Sequence, residues 1–77
     1  MQGIGGLKQD EREAARLFRI AADQGYPNAE YNLAFFYENG AGGLPKDDRE
    51  AARLYRLAAE AGFADARAAL ARLSGSP

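Results

Sequence analysis

Cysteine, histidine and tryptophan are absent from this chain of 77 residues, which also contains a single methionine. Without cysteine there is no disulfide and no thiolate chemistry, and without histidine there is no imidazole for acid–base catalysis. The same two absences remove the usual ligands of zinc. We therefore expect no enzyme activity, no metal site, no cofactor and no small-molecule substrate.

An excess of charge of one sign and long apolar runs are also lacking. Ten basic and eleven acidic residues nearly cancel, so no net field attracts nucleic acid or an anionic membrane. No apolar run approaches the roughly 20 residues that a membrane-spanning helix needs, and the amino terminus shows no secretion signal. We expect neither nucleic-acid nor membrane partners, and a cytoplasmic location if Met1 is the natural start.

What the sequence does contain is an internal repeat with a period of 37 residues. Shifting the chain by this period aligns residues 10–17 with residues 47–54, and about half of all aligned positions are identical. A period of roughly 20 to 50 residues is typical of solenoids, in which stacked helical units bury a continuous core. Function is then expected on a surface rather than in a pocket.

Apolar residues at helical spacing predict two helices in each repeat. The first helix is predicted from Asp10 to Gln24, with Asp10 as its N-cap and Gly25 closing its end. The remaining helices are predicted from Pro27 to Gly40, from Asp47 to Ala61 and from Asp65 to Leu73. The glycine-rich stretches 3–8 and 40–46 are predicted to be structural loops, because they lack the spacing of a phosphate-binding loop.

The aromatic, small and glycine residues of both copies follow a recognisable pattern. It reads Ala29-x-Tyr31-x-Leu33-Ala34-x-x-Tyr37-x-x-Gly40-x-Gly42, then Asp47-x-x-Glu50-Ala51-x-x-Leu54-Tyr55-x-x-Ala58-Ala59-x-x-Gly62. This pattern resembles the Sel-one-like repeat, a relative of the tetratricopeptide repeat. The resemblance implies an all-α fold, a short right-handed α-α solenoid whose units run helix A, loop, helix B. It also implies a non-catalytic adaptor or scaffold for protein complexes, often in bacteria.

In that register the chain is expected to hold about four helices in the order B, A, B, A. Residues 1–26 form a loop and the B-type helix of a partial repeat, 27–63 a complete repeat, and 64–77 a truncated A-type helix and tail. Repeat arrays normally need about three units to be stable. We therefore expect another chain, or a longer parent protein, to cover the terminal helix or the face of Leu17, Phe18 and Ala21.

The resemblance further implies a partner-binding groove on the concave surface formed by the A-type helices. Carrying the groove positions over residue by residue gives Asn28, Tyr31, Phe35, Glu38, Asp65 and Arg72, with Ala68 beside them. Tyr31 is expected to be mainly structural. Phe35 is the strongest candidate, since an exposed aromatic ring near an arginine is typical of an interface anchor. The alternative, that Phe35 packs beneath the neighbouring A-type helix, stays open.

Two functions remain after these exclusions. In the first, the groove binds a peptide or helix of another protein. In the second, the chain associates with itself, as a homodimer or an array, through the end face of Leu17, Phe18 and Ala21. A third feature, two parallel rows of arginines, is interleaved with acidic residues and is expected to be a solvated convex face rather than a phosphate-binding surface. Its members are Arg12, Arg16, Arg19, Arg49, Arg53 and Arg56.

Overall fold

The computed structural model describes residues 3–75, with side chains from residue 10 onward. Residues 1, 2, 76 and 77, which belong to the first and last predicted units, lie outside the described residues. Within it the chain forms four helices and no strand, and none of these helices is long and apolar enough to cross a membrane. The helices are α1 (Gly3–Asp23), α2 (Pro27–Asn39), α3 (Asp48–Glu60) and α4 (Ala64–Leu73). Each packs against the next, which is the all-α arrangement that the repeat predicts.

The ends of α2 and α3 follow from local chemistry. Pro27 opens α2, where its missing N–H needs no partner. Gly40 ends it in the left-handed conformation, with φ of 64°, and donates its N–H to the carbonyl of Phe36. Asp47 then caps α3, because its side chain accepts a hydrogen bond of 3.1 Å from the backbone N–H of Glu50. These boundaries agree with the sequence prediction to within one residue.

The start of α1 differs from the prediction. The helix begins at Gly3, so the loop predicted over residues 3–8 is wrong, and Asp10 lies inside the helix rather than at its N-cap. The difference lies in one residue of the repeat. In the second copy Pro45 lacks an N–H and disfavours helical backbone at Leu44. In the first copy Lys8 occupies the equivalent position and imposes neither restriction, so the helix continues through it.

The core lies between α2, α3 and α4. Its buried members are Leu33, Ala34, Tyr37, Ala51, Leu54, Tyr55, Ala58, Ala66 and Ala69. Alanines dominate this set, and their small side chains let the helices approach closely around Tyr55, which is fully buried. Burying a large apolar side chain contributes about 1.5–3 kcal/mol, so the few large residues carry most of the apolar stabilisation.

The loop between α2 and α3 fastens α1 to this core. Gly42 has φ of 65°, and a Cβ there would lie 2.7 Å from the ring of Phe36 and 2.9 Å from the carbonyl oxygen of Glu11. Only glycine fits so close an approach in that conformation. On the same side, the ring of Phe18 meets Phe36 edge-on, with 5.7 Å between ring centroids. The loop and this aromatic pair therefore set how α1 lies against α2.

Candidate functional site

The six predicted groove residues lie on the two A-type helices, four on α2 and two on α4. They differ in what they expose. Asn28 and Asp65 are exposed near the amino ends of their helices, and Tyr31 is half-buried. Phe35 is 48% exposed, whereas the side chain of Glu38 is only 14% exposed and that of Arg72 is 57% exposed. The predicted groove residues therefore include both accessible side chains and side chains that pack within the protein.

Glu38 ties three helices together at the carboxyl end of α2. Its Oε1 accepts a hydrogen bond of 2.8 Å from the hydroxyl of Tyr55 on α3. Both Oε atoms also accept from the guanidinium of Arg72 on α4, with 3.2 Å between Nη2 and Oε1. Hydrogen bonding from Arg72 outweighs burial and lowers the pKa of Glu38 below its ordinary value. The carboxylate is thus held ionised, and it fixes the position of Arg72 at the groove.

Tyr31, one of the predicted groove residues, packs against two other aromatic rings. Its ring centroid lies 5.5 Å from that of Tyr55 and 5.2 Å from that of Phe63. Tilted aromatic rings at these separations stabilise each other beyond the area they bury. Tyr31 therefore joins α2 to α3 and to the turn that precedes α4.

Phe35 and Arg72 are the groove residues that offer both reach and chemistry to a partner. The ring of Phe35 is apolar and half in solvent, although Leu33, Tyr37 and half-buried Phe36 pack within the protein. Arg72 occupies the same repeat position on α4 and exposes more than half of its side chain. An exposed apolar ring can accept an apolar side chain, and a guanidinium can donate to a carboxylate or a carbonyl oxygen.

A second accessible surface lies on α1. Leu17 is 51% exposed, and Phe18 and Ala21 are half-buried. Ile20, which the sequence interpretation missed, adds a side chain that is 46% exposed. Its position, three residues after Leu17, places it on the same side of the helix, and this spacing is the signal that identifies it.

The hydroxyl of Tyr55 is the other feature that sequence reasoning missed. The equivalent residue of the first repeat is Phe18, which has no hydroxyl, and the residue equivalent to Glu38 is Gly75. These two differences together are the signal, because the hydroxyl of Tyr55 on α3 is a donor and the carboxylate of Glu38 on the neighbouring α2 is an acceptor. The hydrogen bond joins residues 17 positions apart, so only the packing of α2 on α3 reveals it.

Two of the six arginines in these rows are paired with acids inside their own helices. Arg16 lies 2.5 Å from Glu13, and Arg53 lies 2.6 Å from Glu50. Arg19 instead donates to the hydroxyl of Tyr37 on α2. The acids offset the charge of Arg16 and Arg53, and exposed pairs of this kind contribute about 0.2–1 kcal/mol each. The geometry therefore favours a solvated face over an anion-binding surface.

The glycine-rich loop forms a shallow cavity without catalytic chemistry. It has a volume of about 220 Å³ and is lined by Glu11, Arg12 and residues 40–43. Arg12 lies along the backbone at Gly43. Among the residues that the structure describes, no cluster of three or more side chains is arranged to hold a metal ion.

Comparison with protein families gives one match, and it covers most of the chain. The Sel1 repeat model matches residues 1–26 and residues 27–63. The sequence matches no curated protein, and it matches no solved structure. Sel1 repeats are helical solenoids of the tetratricopeptide type, typically non-catalytic, and they generally mediate protein–protein interaction. With four packed helices and two matched repeats, this chain belongs to the Sel1 repeat family.

Proposed function

We propose that this chain is a non-catalytic interaction module that binds a peptide or helix of a partner protein on the groove formed by α2 and α4. The observation that carries this proposal is the 48% exposure of Phe35 on a helix whose other large apolar residues are buried or half-buried. A large aromatic ring in solvent gains free energy when a partner covers it, and aromatic residues are frequent anchors of interfaces.

Arg72 supplies the polar part of the proposed groove. Its guanidinium is held by Glu38, whose carboxylate is mostly covered, while most of the arginine side chain faces solvent. A guanidinium has five N–H donors, so it can keep its bonds to Glu38 and still donate to a partner. Because its position is already fixed, little side-chain entropy is lost when the partner binds. Asn28 and Asp65 then lie at the amino ends of the groove helices and select polar groups on the partner.

Alanine substitution of Phe35 and Arg72 tests the groove. We expect that a protein captured from the source cell by the full chain is not retained by the double variant. The affinity of the double variant for that protein should fall at least roughly tenfold. The matched control is Leu57→Ala, which removes an apolar side chain of 40% exposure from α3. Circular dichroism establishes that each variant folds. Unchanged affinity of the folded double variant rules the groove out.

A second candidate function is self-association through Leu17, Phe18 and Ala21. The exposure of Leu17, 51%, favours it, since its counterpart Leu54 in the complete repeat is 4% exposed. Light scattering behind a sizing column, over a wide range of concentration, measures the mass directly. Leu17→Glu is a better probe than a charge at Phe18, because Phe18 also packs against Phe36 inside the chain. A mass that stays monomeric at every concentration ends this alternative.

A further inference from the structure

Asn39 precedes a glycine, which no other asparagine of this chain does, because alanine follows Asn28 and leucine follows Asn32. In an Asn-Gly pair the glycine nitrogen can attack the side-chain amide carbon of asparagine, since glycine has no Cβ to hinder the approach. The nitrogen of Gly40 loses its proton, a five-membered succinimide ring closes, and ammonia leaves. Water then opens the ring at either carbonyl, which gives aspartate or isoaspartate. The reaction therefore needs water and no other reagent.

Water reaches this pair at the carboxyl end of α2. Asn39 is the last residue of the helix and Gly40 is its C-cap, and both are exposed. Neither residue carries a buried side chain, so the two can leave the helical conformation without uncovering the core. The covalent chemistry of an Asn-Gly pair is therefore accessible in this fold.

In the folded chain both reacting groups are engaged in other hydrogen bonds. The N–H of Gly40 donates to the carbonyl of Phe36, and Nδ2 of Asn39 donates to the carbonyl oxygen of Phe35 over 2.8 Å. Ring closure requires the nitrogen of Gly40 to lose its proton and to lie against the side-chain carbon of Asn39. The helical backbone of Asn39 does not place it there. The reaction therefore waits until the last turn of α2 opens.

Opening of this turn is a local event. The residues just before it have contacts of their own, because the carbonyl of Tyr37 accepts a bond of 2.8 Å from the N–H of Asp47, and Tyr55 and Arg72 hold the carboxylate of Glu38. Helix ends open at a much smaller cost in free energy than the whole fold. The two final residues can therefore leave the helix while the rest of α2 stays packed.

Conversion removes a donor and adds a negative charge where neither change is favourable. The new carboxylate cannot donate to the carbonyl of Phe35, and it lies at the helix end that carries the negative half of the dipole. Lys46 lies nearby, since a Cβ at Gly40 would be 3.3 Å from the Cβ of Lys46, but its Nζ already pairs with Asp48. The charge therefore weakens the last turn of α2.

Isoaspartate has a second effect, because it adds one carbon to the backbone between α2 and the loop that follows. The added carbon shifts Gly40 relative to its acceptor, the carbonyl of Phe36. It also shifts the loop that seats Gly42, where a Cβ would lie only 2.9 Å from the carbonyl oxygen of Glu11 on α1. So close a contact depends on the length of the backbone. The longer backbone therefore loosens the loop from α1.

We propose that Asn39 is a site of spontaneous conversion to isoaspartate, that the last turn of α2 gates this reaction, and that the product loosens the loop that fastens α1 to α2. The substrate is the side-chain amide of the chain itself, the reagent is water, and the released product is ammonia. The proposal depends neither on the groove of Phe35 and Arg72 nor on self-association, so each can fail without the others.

The first test measures the reaction. The full chain is kept in mildly alkaline buffer, folded in one sample and unfolded by guanidinium chloride in another, and peptide mapping by mass spectrometry follows all three asparagines. We expect Asn39 to convert before Asn28 and Asn32 in both samples, and at least roughly tenfold faster in the unfolded one. Asn39→Gln, which keeps an amide but disfavours ring closure, is the matched control and should stay unconverted. No conversion at Asn39 in the folded chain rules out the site, and equal rates rule out the gate.

The second test measures the effect on the loop. The isoaspartate form is separated by chromatography and compared with the unmodified chain by melting temperature and amide hydrogen exchange. We expect it to melt lower and to exchange faster in residues 40–46. Asn39→Asp, which adds the charge without the extra carbon, should melt between the two, whereas Asn28→Asp places the same charge in the first turn of α2 and should melt no lower than the unmodified chain. An isoaspartate form that melts and exchanges like the unmodified chain overturns the proposal.

Discussion

Leu17 and Leu54 provide a matched pair that isolates what the neighbouring helix contributes. Both are leucines at the same position of the repeat, in helices of nearly identical sequence, yet Leu54 is 4% exposed and Leu17 is 51% exposed. Replacing a buried leucine with alanine costs about 2–5 kcal/mol of unfolding free energy, because apolar burial is lost and a cavity remains. Half of the Leu17 side chain stays in water, so Leu17→Ala should cost about 1 kcal/mol or less.

The comparison is made by urea unfolding followed by helical circular dichroism. The change in helix propensity from leucine to alanine is the same in both variants and cancels in the difference. We expect Leu54→Ala to be less stable than Leu17→Ala by about 2 kcal/mol or more. A domain of this size is stable by only about 4–12 kcal/mol, so sulfate can be added to both samples if Leu54→Ala is too weakly folded. Equal costs for the two variants would refute the reasoning.

Three further outcomes follow from the contacts of single residues. Gly42→Ala should lower the melting temperature more than Gly62→Ala. Both glycines have positive φ, but of the two only Gly42 would bring a Cβ within 3 Å of other atoms. Equal melting temperatures would contradict the close packing of the loop. Arg72 lowers the pKa of Glu38, so this carboxylate stabilises the fold above its ordinary pKa and loses that effect as pH falls through the lowered value. Glu38→Gln should therefore flatten the acid side of a profile of unfolding free energy against pH. Burial raises the pKa of Glu30, so its charge costs stability at neutral pH, and this cost disappears as pH falls through the raised value. Glu30→Gln should therefore stabilise the fold at pH 7 but not in acid. Equal stabilisation at both pH values would count against this assignment.

Much of the fold could be predicted from the sequence because single residues determine where α2 and α3 begin and end. Pro27, Gly40 and Asp47 each satisfy or remove one backbone group at a helix end, and the structure uses all three. The start of α1 was missed because the glycines of the loop are repeated but Pro45 is not, and glycine permits a turn without requiring one.

The candidate site was predictable only in part, for a different reason. The exposure of Phe35 follows from local spacing, since the apolar stripe of α2 is complete without it. The anchoring of Arg72 does not follow from spacing, because Glu38 and Tyr55 meet it from two other helices, and Arg72 stands 34 residues from Glu38 in the chain. Interactions of this kind depend on how three helices converge, and a periodic pattern carries no information about them.

The two repeats diverge most in the A-type helices, α2 and α4, which carry the proposed groove. Between α1 and α3, residues 10–23 and 47–60 differ by conservative exchanges such as Phe18 for Tyr55. The A-type helices share little beyond Ala29, Leu33 and Ala34 and their counterparts Ala66, Leu70 and Ala71, most of which are buried or half-buried. The positions that differ include Phe35 and its counterpart Arg72, so a partner bound on the proposed groove would meet an apolar ring from one A-type helix and a guanidinium from the other.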